Sequence, residues 1–136
     1  MRIGTQPAYW DNMAGMPSSA RPHRALVTAP MRGPGLDKLA RLVEVVHEPW
    51  IDQEPLRVYD GPALAERLKS ARADIAVVEA DFVNGPVWDL PLVAVAATRG
   101  DPNNVDVAAA TAAGVPVLRT PGRNADAVAE LAIGLL

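Results

Sequence analysis

Leu92-Val93-Ala94-Val95-Ala96-Ala97, then Thr98-Arg99-Gly100-Asp101-Pro102-Asn103-Asn104-Val105-Asp106, then Val107 to Ala113, Gly114 and Val115-Pro116-Val117-Leu118: this stretch reads as strand, loop, helix, strand, and it decides the fold. The first six residues are apolar whichever face they point to. A strand of that kind is buried on both sides, as in a parallel sheet flanked by helices. Asp106 is a good N-cap for the short helix that follows. Gly114 supplies the left-handed residue that ends it. Pro116 cannot donate to a central ladder, so the last strand lies at a sheet edge or carries its Pro at its start.

Outward from there the same alternation repeats. Ala25-Leu26-Val27-Thr28-Ala29 is a short apolar strand closed by Pro30 and a Gly/Pro loop. Leu36, Leu39, Ala40 and Val43 recur at helical spacing. Val43 to Glu48 reads as a second strand. Asp60 is a second N-cap, with Pro62 in the first turn and Leu64, Ala65 and Leu68 on one face. Ile75-Ala76-Val77-Val78 is the third strand, and residues 81 to 91 leave room for one short turn of helix around Val87-Trp88. The expected fold is α/β, a doubly wound parallel sheet of five strands in the order 2-1-3-4-5. Residues 1 to 23 read as an irregular extension in which Tyr9, Trp10, Met13 and Met16 are the packing candidates, and residues 24 to 123 as the domain. Asn124 opens a terminal helix over 124 to 136. Beyond Glu130 that helix carries only Leu, Ala, Ile and Gly, so it calls for burial on all sides. The expected completion is a second domain, a second chain or a homodimer.

Composition removes several function classes. The net charge is −3, and the basic residues are spread singly from Arg2 to Arg123. The electrostatic footprint of a nucleic-acid binder is missing. There is no Cys, so no disulfide, thiolate metal site or Cys nucleophile exists, and no metal is expected. No apolar run approaches the ~20 residues of a membrane span. Without a signal-peptide pattern, the cytoplasm is the expected compartment.

The loop after the fourth strand is the first candidate site, because ligands of open α/β sheets bind at the carboxyl ends of strands. A glycine-bearing loop there offers backbone N–H groups suited to a carboxylate. A plain connecting loop capped by Asp106 has the same pattern. A phosphoacceptor receiver domain shares the strand order but needs an acidic pair after the first strand and a Lys after the fifth. Those places hold Pro30-Met31 and Arg119. A flavin-phosphate loop needs hydroxyls, and Ala29 to Pro34 has none.

Five linked stretches narrow the choice. Arg99 to Asp106, Ala109-Ala110-Thr111, Gly114-Val115-Pro116-Val117, Thr120-Pro121-Gly122-Arg123-Asn124 and Val128-Ala129-Glu130 follow one another in order. Together they resemble the D-isomer-specific 2-hydroxyacid dehydrogenases, over residues 92 to 136. The resemblance implies a flavodoxin-like catalytic domain made mainly by the N-terminal segment, an inserted NAD-binding domain and a returning C-terminal helix. It also implies hydride transfer between NAD and a small 2-hydroxy or 2-oxo acid. The family's catalytic Arg, Glu and His belong to the inserted domain. The chain is accordingly expected to stop before that domain, with 124 to 136 as the start of the interdomain helix, and to be inactive alone. The other class to weigh is a free-standing flavodoxin-like binding or regulatory module.

By this resemblance, Gly100 and Asp101 match the loop whose N–H groups hold the substrate carboxylate, with Arg99 at its start. Asn124 matches an Asn beside substrate and nicotinamide, and Val128 lies one turn further along, beside the cofactor. Asp101 stands where the family usually has Gly, which adds repulsion near a carboxylate. No G-x-G-x-x-G is present: Gly33-Pro34-Gly35 lacks the N–H of Pro34 and meets Lys38 where a third Gly belongs. His23 and His47 do not match the family's catalytic His and read as structural.

Overall fold

The computed structural model describes residues 22–136. Tyr9, Trp10, Met13 and Met16, with most of the extension, lie outside the described residues. The elements run β1 (Arg24–Val27), α1 (Pro34–Leu42), β2 (Glu44–His47), α2 (Gly61–Ala71), β3 (Ile75–Val78), β4 (Ala94–Ala97), α3 (Val107–Ala113), β5 (Val117–Arg119) and α4 (Ala125–Gly134). Short 3₁₀ turns at Trp50–Asp52 and Gly85–Asp89 join β2 to α2 and β3 to β4. All pairings are parallel, and the order is β2-β1-β3-β4-β5. This is the expected flavodoxin-like α/β sheet.

Local chemistry sets the boundaries. The Asp60 carboxylate accepts from the Ala63 N–H at 2.9 Å, and Asp106 does the same for Ala109 at 3.0 Å. Each satisfies one of the orphan donors of a helix start. Gly114 ends α3 at φ 72°. Arg72 ends α2 in the same left-handed region, at φ 53°, with its N–H turned back to Leu68 and Lys69. At Gly61 a methyl group would overlap the side-chain oxygen and carbonyl of Asn84, so only glycine lets α2 start against that turn.

Two strands begin later than their apolar runs. The Val115 N–H closes α3 by donating to Ala110. Pro116 has no N–H, and only its carbonyl joins the ladder, accepting from Val95 at 3.0 Å. Strand β5 therefore starts at Val117 and lies at the sheet edge. In β4, Leu92 turns back on Leu90 before the regular pairing begins at Ala94. His23 pairs with the sheet through its carbonyl, which accepts from Glu44, and its ring meets Asp74 at 2.9 Å. His47 is exposed on the outer strand β2.

The core is two-sided and unequal. On one face Leu26, Ala76, Val78, Val95 and Ala97 pack under α2, the Gly85–Asp89 turn and α3. On the other, Ala25, Val27, Ala29 and Val77 form a smaller cluster with Leu39 and Met31 beside it. Helix α1 buries no residue fully. Past it, an apolar groove of about 420 Å³ opens over Val77, Ala96 and Leu118. Every residue of α4 is exposed, so its apolar surface has no cover among the described residues. No helix among the described residues is long and apolar enough to cross a membrane.

Candidate functional site

In a parallel sheet every strand delivers its carboxyl end to the same edge, so residues distant in sequence meet there. Glu79 leaves β3, Thr98 leaves β4, and the turn after β5 brings Arg123 and Asn124 back toward them. These residues, with Arg99 and Gly100, line a polar cleft of about 320 Å³.

The loop that carries Arg99 and Gly100 ends in a buried polar knot. The Asp81 carboxylate, fully buried, accepts from the Thr28 hydroxyl and, at 2.7 Å, from the Tyr59 N–H. The Asn104 amide donates to the Asp81 carbonyl at 2.7 Å, and Val83 N–H donates to the Asn104 carbonyl at 2.9 Å. This ties the far end of the 98–106 loop to β1 and β3. Its near end is held where Thr98 N–H meets the Val78 carbonyl and Thr120 N–H meets that of Arg99, both at 2.9 Å. The Arg119 guanidinium donates to the Gly100 carbonyl at 3.2 Å.

That bonding leaves the N–H groups of Gly100 and Asp101 without an acceptor among the described residues. A Cβ at Gly100 would lie 3.5 Å from Pro121 Cα, an ordinary contact. The contribution of this glycine is thus an uncovered donor rather than a forced close approach. Asp101 does not adopt a positive φ, so the residue that replaces the usual glycine meets no backbone strain.

Of the residues singled out from sequence, Arg99, Gly100 and Asn124 come together in the cleft. Asp101 is exposed on the loop outside the lining, and Val128 lies on the open surface of α4. Asn124 caps α4 through its backbone, and its side chain makes no capping bond, which leaves the amide available to a ligand. Sequence reasoning missed Glu79, Thr98 and Arg123. Glu79 Oε1 accepts from Arg123 at 2.8 Å, and its Oε2 accepts from the Trp50 indole at 3.1 Å. The signal for Glu79 was its position: a charge directly after Ile75-Ala76-Val77-Val78 sits at the rim of the sheet.

An uncovered N–H pair, an uncommitted amide and two guanidinium groups suit an acid of a few carbon atoms. No group of three or more His, Asp or Glu residues among the described residues is placed to hold a metal ion. The profile of the D-isomer specific 2-hydroxyacid dehydrogenase catalytic domain matches residues 56–133. A protein of Bacillus subtilis (strain 168) that carries the name 2-hydroxyacid dehydrogenase YoaD is 44% identical over 112 residues, which cover 80% of this chain and 32% of that protein. The chain therefore spans about a third of the length of the curated relative it matches.

Proposed function

The chain belongs to the D-isomer specific 2-hydroxyacid dehydrogenase family, and from that premise we propose that it forms the substrate side of an NAD-dependent oxidoreductase acting on the CH–OH group of a small 2-hydroxy acid. The observation that carries this reading is the unspent N–H of Gly100, which lines the cleft with Asn124 and two guanidinium groups, followed along the loop by that of Asp101. A substrate carboxylate accepts hydrogen bonds from those N–H groups, and Arg99 adds positive charge at the same end of the cleft. The Asn124 amide orients the ligand from the start of α4. Because the loop is anchored at both ends, these donors are in place before the ligand arrives, which lowers the ordering cost of binding.

NAD, when bound, supplies or accepts the hydride at C2 of the acid. The fit of this chain to it is partial. By the family resemblance Asn124 would meet the edge of a nicotinamide, whereas a pyrophosphate needs a glycine-rich turn at a helix start. The first such turn here has Gly33 at φ 76° followed by Pro34, which offers no N–H. Most of the dinucleotide's binding energy, and the proton transfer at the C2 oxygen, belong to a further domain or a second chain.

The test is a titration of the purified chain with pyruvate, followed by backbone amide resonances. Shifts at residues 98–103 and 124, with a dissociation constant on the order of 1 mM, or about −4 kcal/mol, are expected. No response there would sink the reading. The chain alone should turn over none of a panel of 2-oxo acids with NADH. Calorimetry should find no micromolar NAD affinity, which would be about −8 kcal/mol.

A further inference from the structure

Three charged side chains line the cleft: Arg99, Glu79 and Arg123. Their surroundings differ. Arg99 donates to Asn103 within its own loop at 3.2 Å. Glu79 is held from two sides, by Arg123 on one oxygen and Trp50 on the other, and its side chain is only 14% exposed. Arg123 gives one N–H to Glu79, and its side chain is 49% exposed. A guanidinium carries five donors in a fixed fork. Arg123 thus enters the cleft with its orientation set and with donors to spare.

We propose that Arg123, positioned by Glu79, is the specificity-determining contact of this site, and that the pair selects monoanionic 2-oxo or 2-hydroxy acids with a neutral polar group at C3 over dianionic ones. This rests on the substrate-side function proposed above. The charge pattern carries it. The cleft lining has a formal net charge of +1, which one carboxylate cancels. A second anionic group on the ligand would turn to Arg123, whose charge is already matched by Glu79, and would meet the Glu79 carboxylate beside it. A hydroxyl at C3 accepts from a spare Arg123 N–H without that repulsion. Glu79 therefore works through charge and placement, and Arg123 by touching the ligand.

The test compares hydroxypyruvate, oxaloacetate and pyruvate as ligands of the full chain, read by the Gly100 and Asn124 amides and the Trp50 indole N–H. The chain should bind hydroxypyruvate about threefold or more tightly than oxaloacetate, the scale expected of one partly exposed charge pair. Glu79→Gln should reverse that preference, while Glu79→Asp, which keeps the charge, should retain it. Arg123→Met should weaken hydroxypyruvate more than pyruvate, which lacks the hydroxyl. Equal affinity for the two acids in the unaltered chain overturns the proposal. So does a Glu79→Gln chain whose loop responds to ligand with unchanged selectivity; both results leave the substrate-side reading standing. If none of the three acids moves the loop resonances, that reading fails and the selectivity proposal fails with it.

Discussion

On one face of the sheet, α2, the Gly85–Asp89 turn and α3 close over Leu26, Ala76, Val78 and Val95; on the other, among the described residues, α1 stands alone over Ala25, Val27 and Val77. The helices do not differ in the way their sequences suggest. Leu36, Leu39 and Ala40 mark an amphipathic stripe on α1 as clearly as Leu64, Ala65 and Leu68 do on α2. Yet α2 buries Gly61, Leu64, Ala65, Leu68 and Ala71, and α1 buries nothing fully. An apolar stripe sets which way a helix turns. How deeply it sinks depends on neighbours on both flanks, and among the described residues α1 has a second helix on neither. The groove over Ala96 and Leu118 is the visible result.

The sharpest way to break this comparison is a matched pair of truncations. Leu68→Ala, on the closed face, should cost about 3–5 kcal/mol of unfolding free energy, because the cavity it leaves cannot collapse. Leu39→Ala, on the open face, should cost about 1 kcal/mol, since part of its surface already meets water. Urea midpoints measure both. Equal losses would mean that the faces contribute alike.

Next in size is the polar knot at Asp81. Asp81→Ala removes the acceptor of the Tyr59 N–H and leaves the buried Thr28 hydroxyl only its longer contact to the Val77 carbonyl, 3.4 Å. A loss of about 2–3 kcal/mol is expected in the same denaturation. A value near zero would show that water enters the site.

A smaller effect depends on pH. The Arg67 guanidinium, hydrogen-bonded to Glu48, holds that carboxyl below its ordinary value of 4.5. A carboxylate lowered in the folded state contributes stability that is complete above the ordinary value and lost as the pH falls through the lowered one. The acid side of the stability profile should therefore steepen below about pH 4.5, and Glu48→Gln should flatten it. The pair is partly exposed and tethers β2, an outer strand, to α2, so salt should weaken it.

The smallest change in stability should come from Leu118→Lys on the open face. Leu118 is 55% exposed, and the substitution should move stability by about 0.5 kcal/mol or less while raising solubility. The α4 surface makes the same point: Ile133→Glu or Leu135→Lys should shift sedimentation toward monomer. Slow amide exchange through residue 135 in the unaltered chain would instead mean that α4 is covered.

The sheet was legible because its strands are continuous apolar runs and its helices carry their stop and start signals, Asp60, Asp106 and Gly114, in place. The left-handed end of α2 was not, because an arginine fills a role that glycine usually announces. The late start of β5 required knowing that Val115 is engaged in closing α3. Half the cleft was legible for a similar reason: Arg99, Gly100 and Asn124 lie within motifs. Glu79 and Trp50 do not, and Arg123, although inside Thr120 to Asn124, is not announced there as the partner of Glu79. They are 44 and 29 residues apart, and only the shared carboxyl edge of the sheet brings them together.

The knot at Asp81 also divides the cleft mechanically. Thr28, Tyr59, Asp81 and Asn104 come from four separate parts of the chain, so the loop bearing Gly100 rests on a clamped foundation. The wall bearing Arg123 and Asn124 leads into a helix with no buried residue. Any widening or narrowing of the cleft therefore falls on that second wall. The loop bearing Gly100 is the stationary jaw of a vise, and the wall that runs into α4 is the movable one.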